Sequence, residues 1–137
     1  NTWFHLGINS CEDMLYSLRR ICDPCVEHID NSFVPLDKER VKEFLPLRDT
    51  LLYLLKRVCG VISAGDFTDV QKLNEQCDAF KHCLSQTRDE QMARMQAGRE
   101  NITVSYVYLN ILQETQEMAS SLKHMLRAAR HFSEGRA

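Results

Sequence analysis

Phe44-Leu45-Pro46-Leu47-Arg48-Asp49-Thr50-Leu51-Leu52-Tyr53-Leu54-Leu55-Lys56-Arg57-Val58-Cys59-Gly60-Val61 is the stretch that decides the fold. Within it Phe44, Leu47, Leu51, Leu54, Val58 and Val61 recur at intervals of 3, 4, 3, 4 and 3 residues. That is the spacing of one face of an α-helix. Leu45, Leu52 and Cys59 add one flank, and Val41, Leu55 and Ile62 add the other. A stripe this wide predicts contact with more than one neighbour. The helix is expected from Lys38 to Ala64. Asp37 is placed to accept from the open N–H groups of its first turn. Pro46 is expected to bend it early, and Gly65 suits the left-handed position just past its end.

The same period extends in both directions. Upstream, Ile8, Cys11, Leu15, Leu18, Cys22, Cys25, Ile29 and Phe33 form one helical row, which predicts a helix over about Trp3–Phe33, kinked at Pro24. Downstream, Val70, Leu73, Cys77, Phe80 and Leu84 predict a helix over about Thr68–Ala97, with Thr68 or Asp66 as its cap. Past Leu84 that row weakens to Thr87, Gln91 and Met95. The polar run Gln86–Glu90 suggests a stretch projecting beyond the core. Gly98 is a stop signal and Asn101 a candidate cap. The last helix is expected over about Glu100–Phe132, with Ile111, Met118, Leu122, Met125, Ala129 and Phe132 on one row and Leu109, Leu112, Ala119 and Leu126 on the next. Val104, Tyr106 and Val107 have strand-like chemistry, but the sustained helical period outweighs them. Four long helices with short links predict an all-α, antiparallel up-down-up-down four-helix bundle.

Composition agrees. The chain's 137 residues make one domain, 1–137, with 44% apolar and 26% charged residues. Gly and Pro, at 5 and 3, are too scarce for a protein of many short strands and turns. A net charge of −2 argues against nucleic acid as a partner. No apolar run reaches the roughly 18 residues of a membrane span. No signal peptide is recognised at Asn1, and a first residue other than Met suggests a piece of a longer protein. The six cysteines Cys11, Cys22, Cys25, Cys59, Cys77 and Cys83 all fall inside helical patterns. They are expected to be buried, reduced thiols. Cys22-x-x-Cys25 has no second CxxC to complete a zinc site, and core packing is the simpler reading of it.

Catalytic motifs are missing. No histidine has a Glu three residues before it, as a di-iron bundle needs, and there is no zincin motif or phosphate loop. No nucleophile–base–orienter set can be assembled, so the chain is not expected to be an enzyme. Asp23, Glu27 and Asp30 share a helix face and could offer oxygen ligands to a cation, although a solvated acidic face is the simpler reading. Glu114 and Glu117 carry the same two readings. Met92, Met95, Met118 and Met125 read as core filler. Lys123, Arg127 and Arg130 form a basic end on the last helix. It either complements the helix dipole or docks to an acidic partner or anionic headgroups.

Two stretches carry a family resemblance. Leu15-Tyr16-Ser17-Leu18-Arg19-Arg20-Ile21-Cys22-Asp23 resembles the PhoU helix signature Leu-x-x-Leu-Glu-Arg-Ile-Gly-Asp, with Arg20, Ile21 and Asp23 matching. Leu112-Gln113-Glu114-Thr115-Gln116-Glu117-Met118-Ala119-Ser120-Ser121-Leu122 looks like the same signature further decayed. The closing run from Tyr106-Val107-Tyr108-Leu109 to Arg130-His131-Phe132 is similar to the last helix of the PhoU-like domain of bacterial sodium/phosphate cotransporters. The resemblance implies a PhoU-like bundle on the cytoplasmic side of the bacterial inner membrane. It would regulate phosphate uptake by contact with the membrane domain of the same or a neighbouring phosphate transporter. A free-standing PhoU-type regulator and a metal-binding bundle are the alternatives. The family binds iron or zinc through paired Glu-x-x-x-Asp motifs. Here Arg19 stands at the first carboxylate of that motif, and Gln116 and Ser120 replace both in the second copy. No cofactor is therefore expected, with iron or zinc at Asp23 and Glu27 as the alternative. The wide apolar faces of the second and fourth predicted helices would support a homodimer.

Overall fold

The computed structural model describes residues 36–135. They form three α-helices: α1 (Lys38–Ala64), α2 (Val70–Gln96) and α3 (Ile102–Ser133). The all-α expectation holds for the described residues. The predicted 3–33 helix lies outside them, so the structure supports three helices of the expected bundle and not four. Each of the three packs on the other two, α2 on α3 most extensively. Cross-links between helices give the directions. The Arg88 guanidinium donates to Gln113, Gln116 donates to the Lys81 carbonyl, and Lys123 pairs with Asp78. Position numbers thus rise along α3 as they fall along α2, and the two run antiparallel. Tyr108 meets Glu43, so α1 and α3 run parallel with their N-terminal ends together.

The helix ends follow from local chemistry. Asp37 Oδ1 accepts from the Arg40 N–H at 2.7 Å, and Asn101 Oδ1 accepts from the Val104 N–H at 3.1 Å. Each satisfies a first-turn donor that has no partner within its helix. The α2 cap differs from expectation. Asp69 takes that position without a side-chain bond, while Asp66 accepts from the hydroxyl and N–H of Thr68 within the preceding turn. Those two bonds hold the Asp66 carboxyl below its ordinary value. Gly65 and Gly98 have φ of 67° and 71°, the left-handed conformation that stops α1 and α2. α1 continues through Pro46, which lacks a backbone N–H; the Thr50 hydroxyl donates to the Pro46 carbonyl at 2.9 Å.

The core contains the expected rows. Leu47, Leu51, Leu54, Val58 and Val61 of α1 meet Val70, Leu73, Cys77, Phe80 and Leu84 of α2 and Tyr108, Leu112, Met118, Ala119, Leu122 and Leu126 of α3. Four expectations fail. Phe132, expected on a core row of α3, is 57% exposed. Leu45 and Leu52 are 39% and 53% exposed, and Val41 is exposed too, so the other described helices leave that side of α1 open. Cys59 and Cys83 are exposed on outer helix faces, and among the described cysteines only Cys77 is buried. The weak end of the α2 row does not project. Thr87 and Gln91 are buried, Gln91 bonded to Ser105 near the start of α3, while Met92 is exposed.

Two glycines should respond oppositely to alanine. Gly60 sits inside α1 with open space at its Cβ position, so Gly60→Ala should stabilise by about 1 kcal/mol. Gly65→Ala also meets no atom, but its left-handed backbone should cost roughly 1–2 kcal/mol. Urea unfolding midpoints of the two variants check the pair.

Candidate functional site

Two groups of polar side chains occupy opposite ends of the three helices. The first lies at the N-terminal ends of α1 and α3. Gln91, fully buried, is its centre. The Gln91 amide oxygen accepts from Arg40 Nη1 at 3.1 Å and from Arg94 Nε at 2.9 Å, while Nε2 donates to Ser105 Oγ at 2.9 Å. Arg94 also donates to Glu43 Oε1 at 3.2 Å, and Tyr108 Oη donates to the same oxygen at 2.7 Å. Glu100 lies 3.7 Å from Arg40 and 3.6 Å from Arg94. Arg40 Nε also lies 3.7 Å from Asp37 Oδ1, so two guanidinium groups are shared among three carboxylates. Glu43 is engaged by Arg94 and Tyr108, which leaves it poorly suited to act as a base. Burial, then the bond to Glu43, pushes the Tyr108 phenol well above its ordinary value.

The second group lines a cleft of roughly 460 Å³ between the start of α2 and the end of α3. Val70, Gln71, Asn74 and Asp78 form one wall; Lys123, Arg127, Arg130, His131 and Glu134 form the other. The three docking residues expected from sequence therefore meet in one place. Their states differ. Lys123 pairs with Asp78, and Arg130 Nε lies 3.1 Å from Glu134 Oε1. Arg127 is exposed and makes no ion pair among the described residues. Arg130 lies in the last turn of α3, where it complements the helix dipole. Arg127 and Lys123 lie further back, beyond the terminal turn in which that effect operates.

The metal candidates fare differently. Asp23, Glu27 and Asp30 lie outside the described residues. Among the described residues, no group of three or more His, Cys, Asp or Glu is placed to hold a metal ion. In residues 112–122, Gln116 donates through Nε2 to a backbone carbonyl, and Ser120 offers no carboxylate. That donor set does not fit a multinuclear iron or zinc cluster. Glu114 corrects the solvated reading: it is fully buried. No described helix is long and apolar enough to cross a membrane. Burial pushes the Cys77 thiol up, away from the reactive thiolate.

The sequence reading missed Gln91, Arg94, Glu100, Tyr108 and Glu114 as structurally important. A signal existed for two of them. Gln91 continues the Leu84–Thr87 row, and Glu114 falls within Ile111–Met118–Met125 at helical spacing. A polar residue on a core row requires a partner.

No family model, curated protein or solved structure matches this chain.

The Tyr108 phenol is raised when folded, so its contribution is complete below about pH 10 and is lost as pH rises past that unfolded value. Tyr108→Phe should lower stability by roughly 1.5–3 kcal/mol at pH 7, the usual loss for a bond to a charged group. It should also unfold less steeply than the parent between about pH 9 and 11. Urea titrations across that range check both effects.

Proposed function

We propose that the chain is a non-enzymatic regulatory module: a PhoU-like four-helix bundle that modulates sodium-dependent phosphate uptake by docking on the cytoplasmic side of a phosphate transporter. The resemblance in residues 15–23 and 106–132 supplies the family. Arg127 carries the docking part. It is exposed on a cleft wall, has no ion-pair partner among the described residues, and lies too far from the end of α3 to serve its dipole. Lys123 and Arg130 flank it in pairs that an acidic partner could rearrange, because exposed ion pairs contribute little.

The fourth helix of the proposal is residues 3–33. Burial on α3 supports it. Ala128 is buried outside the apolar core shared with α1 and α2, and Glu114 and Ser121 are buried as well. At 3.6 residues per turn they lie roughly 120–160° around α3 from the centre of that core row. A further helix packed there would account for their burial. No reaction is assigned, because the charged groups of the polar end are engaged with one another and the described cleft lining holds no nucleophile–base pair.

Arg127→Glu/Arg130→Glu tests the docking. Sodium-driven phosphate uptake should change severalfold in cells carrying the variant, while its melting temperature stays within about 2 °C of the parent, as for ordinary surface substitutions. Unchanged uptake would reduce the basic end to dipole compensation and end the docking reading.

A further inference from the structure

Helix α1 carries a second row beside the one it sends into the core. Val41, Leu45, Arg48, Leu52, Leu55, Cys59 and Ile62 follow one another at intervals of 4, 3, 4, 3, 4 and 3 residues. That is the repeat of a coiled-coil seam, which returns to the same line every seven residues. Its centre lies roughly 110° around α1 from the centre of the buried row Leu47 to Val61. Leu55 and Ile62 are partly buried at the edge of the core, and the other five positions are exposed.

The charges beside the seam select its occupant. Lys42, Asp49 and Lys56 stand seven residues apart in the exposed row next to it. Positions that flank a seam set partner choice and orientation. A second copy of α1 laid antiparallel, with Leu52 opposite the partner's Leu55, brings Asp49 beside the partner's Lys56. The two-fold axis makes that contact twice. Leu45 then meets the partner's Ile62. Arg48 lies over the partner's Cys59, where its stem covers the seam while its guanidinium reaches water. The other arrangements that keep the heptads in phase are worse. Sliding one heptad in one direction sets Asp49 against the partner's Asp49, and in the other sets Lys56 against the partner's Lys56. Sliding further runs one end of the seam past the end of the partner's helix. A parallel pair sets Arg48 against the partner's Arg48. Within one copy Asp49 lies 3.0 Å from Arg48, an exposed pair that contributes little and can be exchanged.

We propose that this seam joins two copies of the chain in an antiparallel, two-fold α1–α1 contact, with Asp49 and the partner's Lys56 fixing its register. The seam shares no residue with the Arg127 cleft, so the pairing stands independently of the docking reading.

Sedimentation equilibrium of the full chain tests it. The mass should rise from monomer towards dimer as the concentration approaches about 1 mM, the weak end of specific association. Leu52→Asp should hold the protein monomeric, with a melting temperature in dilute solution within about 2 °C of the parent, as for a surface substitution. Lys56→Glu should raise Kd roughly fivefold through loss of two exposed pairs, and Asp49→Lys/Lys56→Glu should restore it to within about twofold. Arg48→Cys treated with a short bis-maleimide should yield peptides linked between position 48 and Cys59. The two positions lie about 16 Å apart along one helix, so a shorter link joins two copies. A monomer at every concentration overturns the proposal. So does a dimer that Leu52→Asp leaves intact, which uses another surface, or one linked Cys59 to Cys59, which is parallel. Failure of the charge exchange to restore Kd overturns the register. A monomer whose melting temperature falls by more than about 5 °C on Leu52→Asp gives the face to another segment of this chain and overturns the pairing as well.

Discussion

Helix α3 buries two faces at once, and the rest of the structure is arranged around that requirement. One face carries Tyr108, Leu112, Ala119, Leu122 and Leu126 into the core shared with α1 and α2. The other carries Glu114, Ser121 and Ala128, which are buried on a different arc of the helix. Together the buried positions span roughly 220° of the helix circumference. A surface helix shows a single apolar stripe, so a band this broad belongs to a helix with neighbours on more than one side. By contrast, α1 has a single buried stripe and an exposed side at Val41, Leu45 and Leu52.

The two ends of the bundle divide the work between specificity and contact. At one end, Gln91 ties all three helices together by accepting from Arg40 and Arg94 and donating to Ser105. Shifting any of the three helices by one turn would leave buried donors unsatisfied, which costs more than the bonds themselves contribute. That end fixes register and engages its charged groups with one another. At the other end the ion pairs are on the surface, and Arg127 projects from the cleft wall beside them. A bundle locked at one end can present a charged surface at the other without relying on it for stability.

The sequence revealed helices more clearly than surfaces. The 3,4 rows gave α1 its observed bounds, and Asp37, Gly65 and Asn101 act as their chemistry predicts. Apolar period alone could not show which side of a broad stripe stays bare. Leu45 and Leu52 differ little from Leu47 and Leu51 until the neighbours of α1 are known. It also misjudged polar residues on core rows. Thr87, Gln91 and Glu114 look like breaks in the pattern, whereas they continue it with hydrogen-bonding groups. Lys123, Arg127 and Arg130 were legible as one basic end because helical spacing puts them together, and the Arg130–Glu134 pair is local at i,i+4, but the pairing of Lys123 with Asp78 depended on tertiary placement.

The most direct measurement of the two-faced role of α3 compares residues 36–135 with the full chain by thermal unfolding, followed by near-UV circular dichroism and by binding of a hydrophobic dye. The account predicts that the shorter chain keeps its helical signal, binds the dye and loses a single cooperative transition, because the face carrying Glu114, Ser121 and Ala128 is then open to water. A shorter chain that unfolds cooperatively at the temperature of the full chain, without binding the dye, would contradict it.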